Sequence, residues 1–249
     1  MIDTSTNRRL ALVHERRDPD VPGRAPLRRW FERFGTPAAF EAGATLFAAG
    51  EAVRSVCLVR AGTVRLCAFG EDGHRQIAEF AQAGAVLGHA EFGEWHLAVE
   101  AVGRVALGCV SLARFERAVA GDADVRAGVL CLCAEQIARR DRHLARLAHL
   151  PAEARLLAFL EEFEAGAGER AAFATLPMTR REIGDHLGMS LETVSRAFGA
   201  LRRAGRIETR GSTRYRTRPA APARPALSPT PAIVEPAAPI TPVSASSPG

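Results

Sequence analysis

Residues 176–201 have the sequence LPMTRREIGDHLGMSLETVSRAFGAL, and this stretch decides how the rest of the chain is interpreted. Thr179 can accept the amide hydrogen bonds of a first helical turn, and Glu182, three residues later, completes a capping box. Gly188 can adopt the positive φ that a chain needs when it leaves a helix. The pattern therefore predicts a short helix that begins just after Thr179 and ends just before Gly188.

A second helix is predicted directly after this turn, with Ser190 as its N-cap. Its apolar residues recur at four and three positions and form the inward face: Val194, Phe198 and Leu201. Its polar residues form the outward face: Glu192, Thr193, Ser195 and Arg196. Two helices joined by a short turn that contains glycine predict a helix-turn-helix, whose second helix enters the major groove of DNA.

The outward face carries the chemistry that reads base edges. Arg196 can donate two hydrogen bonds to guanine, Glu192 can accept one from a cytosine amine, and Ser195 can reach a base or a phosphate. The alternative without a DNA-binding role is that Glu192 and Arg196, four residues apart, only form an ion pair with each other on a solvated helix face.

A dense group of arginines follows the second helix and is opposed by Glu208 alone: Arg202, Arg203, Arg206, Arg210, Arg214, Arg216 and Arg218. Residues 206–216 alternate around a Gly-Ser turn and predict a β-hairpin, the wing of a winged helix. Arginines on such a wing are suited to phosphates, so DNA binding should weaken as salt rises.

The composition fits a soluble globular protein of two ordinary domains. The chain has 249 residues, is 47% hydrophobic and 24% charged, and carries a net charge of +5. Because lysine is absent, the position of the arginines is more informative than their number. No apolar run reaches membrane-spanning length, and residues 1–29 lack the apolar core of a secretory signal, so we expect a cytoplasmic protein that does not enter membranes.

Residues 40–110 consist of short apolar runs broken by glycine, which predicts a small all-β barrel or jelly roll. We expect residues 56–59 and 64–67 to face each other as a hairpin, and residues 71–74 to form the next hairpin turn. In such a hairpin Cys57 and Cys67 could lie opposite each other, as a redox disulfide or, more commonly, as buried structural thiols.

Residues 122–149 predict one long helix. Alternating three- and four-residue steps mark a coiled-coil seam for a homodimer: Leu130, Cys133, Ile137, Arg140, Leu144 and Leu147. The alternative is a helix packed on its own barrel. Arg140 places a charge in the seam and would weaken the dimer unless Glu135 or Asp141 of a second copy pairs with it.

The chain thus divides into five predicted parts. They are a flexible segment 1–26, a β-barrel sensor domain 27–120, a dimerisation helix 121–149, a DNA-binding winged helix-turn-helix 150–218, and a disordered Pro/Ala-rich tail 219–249. Trp30, Phe31 and Phe34 should anchor a short helix against the barrel. The fold class is α+β.

In this order of domains the chain resembles the CRP/FNR transcription regulators from about Phe34 to Arg218. Residues 179–188 and 192–196 are similar to the FNR and FixK branch, in which the E-x-x-S-R residues read a palindrome of the type TTGAT-N4-ATCAA. The resemblance implies base contacts by Glu192, Ser195 and Arg196, and a homodimer on double-stranded DNA that recruits RNA polymerase. The resemblance also implies phosphate contacts by Thr179 and Arg180, and we assign phosphate contacts to Ser190, Thr193 and Arg214 as well.

Family members often bind a cyclic nucleotide or an iron–sulfur cluster, but this chain departs from both patterns. Residues 84–100 contain no arginine to neutralise a cyclic phosphate. No cysteine precedes Cys57, and the five cysteines lack the spacing of a cluster site. We therefore predict no metal and no resident cofactor. A haem stays open, with His89 or His96 as candidate ligands.

Three classes of function are open to this chain: a DNA-binding regulator, a ligand-responsive or redox sensor domain without important DNA contacts, and an enzyme. No P-loop, nucleophile elbow or HExxH motif is present, so we predict no catalytic residues. The resemblance implies a FixK-like activator of genes for low-oxygen or nitrogen metabolism. The alternative is a regulator of the same fold that responds to another effector and controls other targets.

Overall fold

The structure is a computed structural model that describes residues 24–70, 73, 75–91, 93–166 and 173–219. The predicted flexible segment lies outside the described residues except for residues 24–26, which begin the first helix. The predicted disordered tail also lies outside them, apart from Pro219. None of the described helices is long and apolar enough to cross a membrane.

The helices and strands follow one another in this order: α1 Arg24–Phe34, β1 Thr36–Phe40, β2 Thr45–Phe47, β3 Ser55–Ala61, β4 Thr63–Phe69, β5 Arg75–Gln82, β6 Val86–Leu87, β7 Ala98–Ala101, β8 Val105–Ser111, α2 Leu112–Gly121, α3 Ala123–His149, α4 Ala152–Gly166, β9 Ala174–Thr175, α5 Arg180–Leu187, α6 Leu191–Arg203, β10 Ile207–Arg210 and β11 Arg214–Thr217.

Strands β1–β8 form two antiparallel sheets with the strand orders β1-β8-β3-β6 and β2-β7-β4-β5. This order is that of a jelly roll, and we use that name for residues 36–111. Apolar side chains of both sheets fill the space between them, including Val59, Val64, Val99 and Leu107. The predicted α+β fold with an N-terminal jelly roll is confirmed.

The predicted hairpin of residues 56–59 and 64–67 is wrong. β3 pairs with β8 and β6, whereas β4 pairs with β5 and β7 in the other sheet. The chain crosses between the sheets at Gly62, whose φ is +87°, and a Cβ there would lie 2.3 Å from the carbonyl oxygen of Arg104. β4 and β5 pair as a hairpin with Phe69 opposite Arg75, but of the predicted turn residues 71–74 only Gly73 lies within the described residues.

The same crossing separates Cys57 from Cys67, so the predicted placement of these two cysteines opposite each other is wrong, and with it the redox disulfide between them. The other alternative, a buried structural thiol, is confirmed for Cys67. Cys57 lies directly opposite Cys109 on the neighbouring strand, and the two form a disulfide with a Cα–Cα distance of 4.1 Å. Cys67 is buried in the other sheet, where burial, together with the nearby carboxylate of Glu100, raises its pKa to about 11. Cys67 is therefore a protonated core thiol at neutral pH.

Helix α3 confirms the long helix predicted over residues 122–149. Asp122 caps it and accepts hydrogen bonds from the amides of Asp124 and Val125 at 2.9 and 3.2 Å. One face packs against the jelly roll and α1, burying Val125 and Leu132. On another face, three seam residues seven positions apart are 66%, 62% and 62% exposed: Leu130, Ile137 and Leu144. The alternative, a helix that packs only on its own barrel, does not account for the exposure of these three apolar side chains.

Residues 152–218 form a second compact region that we call the head. Helices α4, α5 and α6 share a core that includes Leu160, Ile183, Val194 and Phe198. A sheet of order β10-β11-β9 closes it, and the Tyr215 hydroxyl donates to the carbonyl of Leu160 at 2.7 Å. The hairpin β10–β11 confirms the predicted wing, so the head is a winged helix-turn-helix.

Candidate DNA-binding surface

The start of α5 is fixed by the predicted capping box. The Thr179 side chain accepts from the amide of Glu182 at 3.3 Å, and Glu182 Oε2 accepts from the amide of Thr179 at 2.7 Å. The helix ends at Gly188 with a φ of +62°. A Cβ on Gly184 would lie 2.4 Å from the carbonyl oxygen of Met189, so this glycine lets the turn approach α5 closely. These contacts set the angle between α5 and α6.

Helix α6 presents its predicted polar face to solvent. Ser190 caps it by accepting from the amide of Thr193 at 3.2 Å. Glu192 and Arg196 are exposed, whereas Ser195 is half-buried. Among the described residues no ion pair joins Glu192 to Arg196, and Arg196 donates only a long hydrogen bond, 3.5 Å, to Thr193. The interpretation of Glu192 and Arg196 as a simple surface pair therefore has no contact to support it.

The Glu192 carboxyl is held in its charged form. Hydrogen bonds from its own backbone amide and from the Ser190 side chain lower its pKa, and Arg181 and Arg196 act in the same direction. A carboxylate at the first turn of α6 is also favoured by the helix dipole. Glu192 is thus a charged acceptor at neutral pH, which is the state that a cytosine amine requires.

Residues assigned to phosphate lie around this face. Thr179 and Ser190 are exposed at the N-termini of α5 and α6, where backbone N–H groups favour anions. Arg180 donates to the Ser195 hydroxyl at 3.4 Å, and its guanidinium lies 4.8 Å from the centre of the Phe198 ring. Arg180 therefore joins the two helices as well as facing outward.

The wing adds a second group of cations. Arg216 and Arg218 both donate to Glu208, at 2.7 and 2.6 Å, and these hydrogen bonds lower the pKa of Glu208 to about 2. Arg210 and Arg214 are exposed and pair with no carboxylate among the residues that the structure describes. Both guanidinium groups are therefore available to an anion.

The opposite side of α5 is held by the jelly roll through a set of residues that we call the clasp: Arg65, Arg75, Glu182, Asp185 and His186. Glu182 caps α5 with Oε2 and forms an ion pair with Arg65 through Oε1. Arg65 also donates to Glu100 at 2.7 Å, and Arg75 lies 3.3 Å from Asp185. One carboxylate thus joins the helix start to the jelly roll.

His186 completes the clasp. Its Nδ1 lies 3.0 Å from the carbonyl oxygen of Ile77 in β5, so this nitrogen donates. Its ring stacks on His143 of α3 with centroids 4.3 Å apart. Burial, followed by the neighbouring His143, lowers the pKa of His186 to about 4. The jelly roll, α3 and the head therefore meet at one neutral imidazole.

The interior of the jelly roll beside α3 holds a cavity of about 80 Å³. His89 lines it and donates from Nδ1 to the carbonyl of Val86 at 2.9 Å, so Nε2 carries its lone pair. Burial lowers the pKa of His89 and keeps it neutral. His96 has a largely exposed side chain that contacts Glu91. Only His89 of the two proposed haem ligands lines this cavity.

Sequence reasoning did not find the clasp. Arg65 and Glu182 are 117 positions apart, and a charged residue in a strand gives no sign of a partner so distant. The capping box already accounts for a glutamate at position 182, so the sequence gives no reason to expect its ion pair with Arg65. His186 is polar near a helix end, and nothing in its local sequence indicates burial.

Comparisons with known proteins agree with both regions. Residues 37–122 match the model of the cyclic nucleotide-binding domain, and residues 154–219 match the model of the Crp-like helix-turn-helix domain. The chain is 30% identical over 184 residues to the nitrogen fixation regulation protein FixK of Azorhizobium caulinodans, covering 72% of this chain and 74% of that protein. It is 32% identical over 183 residues to FixK of Bradyrhizobium diazoefficiens, covering 72% and 77%.

A solved structure gives the same result. The structure of FixK2 from Bradyrhizobium japonicum superposes with a TM-score of 0.70 and 30% sequence identity, covering 74% of this chain and 93% of that one.

Proposed function

The chain belongs to the CRP/FNR family of transcription regulators, in its FixK-like branch, and we propose that it binds a FixK-like palindrome as a homodimer. It is a DNA-binding regulator and not an enzyme. The finer proposal concerns the sequence of the site, the residues that contact it and the assembly of the protein. Each of these rests on a separate set of contacts.

The observation that carries the DNA site is the exposed pair Glu192 and Arg196 on α6, unpaired with each other. On a recognition helix, Arg196 reads guanine and Glu192 reads cytosine, with Ser195 beside them. Thr179, Arg180, Ser190, Thr193 and Arg214 surround this face and are proposed to contact phosphate. A palindrome of the type TTGAT-N4-ATCAA offers such bases in each half-site.

The homodimer is supported by the seam of α3. Leu130, Ile137 and Leu144 are exposed at seven-residue intervals, which is costly for an isolated helix and typical of a coiled coil. A hollow of about 350 Å³ lies beside the seam and is lined by Leu144, Leu147 and Phe80. A second copy would cover both. Two heads related by a two-fold axis then match the two halves of a palindrome.

We propose that DNA binding requires no resident cofactor. Ligand pockets usually measure about 300–1,000 Å³, and the cavity beside His89 measures about 80 Å³. The arginines that line it, Arg24 and Arg139, lie against carboxylates, with Arg139 3.5 Å from Glu79. These residues do not fit a haem or a cyclic nucleotide. A ligand- or haem-responsive regulator is therefore the less supported alternative, and a redox-responsive regulator of the same fold stays an alternative.

The relatives named above regulate nitrogen fixation. By this likeness we propose that the protein activates genes of low-oxygen or nitrogen metabolism. It would do so in the cytoplasm by recruiting RNA polymerase, as the family resemblance implies.

The direct test is binding of purified, aerobically prepared protein to a TTGAT-N4-ATCAA duplex and to a scrambled duplex, followed by fluorescence anisotropy at several salt concentrations without added ligand. We expect selective binding of the palindrome and a linear fall of log K with log salt for both duplexes. Equal affinity for the two duplexes would contradict the proposed site. Selective binding that appears only after an effector or a reductant is added would favour the alternative.

A further inference from the structure

Phe173 stands at the entrance to β9 and is 3% exposed. Three guanidinium groups of the wing surround its ring, with their central carbons 4.2 Å (Arg210), 5.1 Å (Arg216) and 6.0 Å (Arg214) from the ring centre. All three distances lie within the range of cation–π attraction. An aromatic ring at the base of the wing is therefore covered by cations.

The three arginines differ in what else they contact. Arg216 donates to Glu208, so a carboxylate already fixes its position. Arg210 and Arg214 have no carboxylate within ion-pair distance in the described part of the chain. Each of these two guanidinium groups instead lies over the ring of Phe173, at 4.2 Å for Arg210 and 6.0 Å for Arg214.

Stacking on a ring orders an arginine without using its hydrogen bonds. The N–H groups of a guanidinium lie in its plane, so a ring that contacts the face of the group leaves them free to donate. A stacked arginine can thus still donate to a phosphate, and less side-chain freedom is lost when it does so. A carboxylate partner, in contrast, would occupy the same donors.

We propose that Phe173 is a positioning residue for DNA binding: its aromatic face holds Arg210 and Arg214 of the wing ready for the phosphate backbone. The proposal rests on the proposed function and extends it to a residue that touches neither base nor phosphate. It predicts that the aromatic face matters and that apolar volume alone does not suffice. It also predicts an effect on affinity that is the same for every DNA sequence.

The test compares full-length Phe173→Leu and Phe173→Trp with the wild type on the palindromic and scrambled duplexes across a salt series. Phe173→Leu should lower affinity for both duplexes by the same factor, about threefold to tenfold, and should flatten the salt dependence. Phe173→Trp should keep an affinity close to that of the wild type because it keeps an aromatic face at this position. Equal affinity of the leucine variant and the wild type, or equal losses in both variants, would overturn the proposal.

A double-variant cycle guards against a loss that comes from misfolding. Arg210→Gln with Arg214→Gln removes the same contacts from the exposed side of the wing, where folding is not at risk. If Phe173 acts through these arginines, adding Phe173→Leu to that variant should cost no further affinity. A full additional loss would show that Phe173 acts by another route and would overturn the proposal.

Phe34 offers a matched control in the same protein. Its ring also lies under two arginines, 4.9 Å from Arg33 and 4.4 Å from Arg114, but it belongs to α1 beside the jelly roll. Phe34→Leu should leave DNA affinity unchanged, and an equal loss in this variant would overturn the proposal. Binding of the scrambled duplex at low salt is sufficient for every comparison. Failure of the proposed palindrome in the wild type would therefore be a separate result.

Discussion

The arginines that join the jelly roll to the head face carboxylates, whereas three exposed arginines of the head, Arg196, Arg210 and Arg214, have no carboxylate partner among the described residues. Arg65 lies between Glu100 and Glu182, with all three side chains largely buried. Arg196 and Arg210 are exposed, and neither has a carboxylate within ion-pair distance in the described residues. One residue type thus serves two purposes, internal cohesion and attraction of an external anion, and the carboxylates decide which.

This difference predicts that the two groups fail in different ways. Loss of a clasp residue should lower stability, because it leaves a charge buried without its partner. Loss of a surface arginine should leave stability almost unchanged and lower DNA affinity. Variants of each group therefore test whether the clasp affects stability and the surface arginines affect DNA affinity.

The largest effect is expected from Glu182→Ala. It removes the Glu182 half of the capping box of α5 and one partner of the buried Arg65, so the free energy of unfolding should fall by about 3 kcal/mol. Urea denaturation of the wild type and the variant measures the difference. Glu208→Ala is the control, since it removes a carboxylate that pairs with two arginines on the exposed wing. If both variants lost equal stability, the clasp would have no special role.

The clasp should also make stability depend on pH. The pKa of His186 falls from its ordinary value of 6.5 to about 4 in the folded protein, because the ring is buried and lies against His143. Between these pH values the unfolded chain binds a proton that the folded chain excludes. The contribution of this group to the free energy of unfolding is therefore fully present above about pH 6.5. It decreases by about 3 kcal/mol as the pH falls to 4.

His186→Gln keeps a donor for the carbonyl of Ile77 and removes the titration, so its unfolding free energy should vary less between pH 6.5 and 4. Denaturation at a series of pH values tests this. His149→Gln, at an exposed histidine of α3, should keep the wild-type pH dependence. An unchanged slope in the His186 variant would show that another group causes the loss of stability in acid.

On the other side of the comparison, Arg196→Ala should lower affinity for the palindrome by about tenfold to a hundredfold, because one bidentate base contact is lost in each half-site. Affinity for the scrambled duplex and the melting temperature should change little. Arg214→Ala is the matched variant, and it should weaken binding to both duplexes alike. Loss of selectivity in the Arg214 variant, with none in the Arg196 variant, would exchange their assigned roles.

The head could be predicted from the sequence because local contacts specify it. The capping box of Thr179 and Glu182 and the positive φ of Gly188 each depend on residues only a few positions apart. The wing was also predicted, since β10 and β11 are joined by a short turn. In such a region, residue type and spacing already contain the geometry.

The jelly roll could be predicted only as a class. Alternating apolar strands indicate two buried faces, but they do not tell which strands pair, and β3 pairs with β8 across a long interval of chain. The wrong hairpin and the wrong placement of Cys57 opposite Cys67 both follow because the sequence pattern does not specify strand pairing. The clasp was missed for the same reason, because Arg65 and Glu182 meet only after both regions have folded.

Arg140 belongs neither to the arginines of the clasp nor to the exposed arginines of the head. It is exposed and has no carboxylate partner among the described residues, yet it lies in the seam where a second copy is proposed to bind. Of the two partners considered, Glu135 is already engaged by Arg24 and Arg139. Asp141 is exposed beside the seam and is the remaining candidate.

In a parallel coiled coil a seam residue at this position packs into a hole of the partner helix that includes the residue after its own equivalent, which here is Asp141. If that pair forms, Asp141→Ala should weaken the dimer, since it leaves Arg140 in the seam without a partner. Arg140→Leu should tighten the dimer by about tenfold, because an apolar residue replaces a charge at a core position. Sedimentation equilibrium measures both dissociation constants. Unchanged constants in both variants would remove this stretch of α3 from the interface, and Arg140 would then join the arginines that are free to attract an anion.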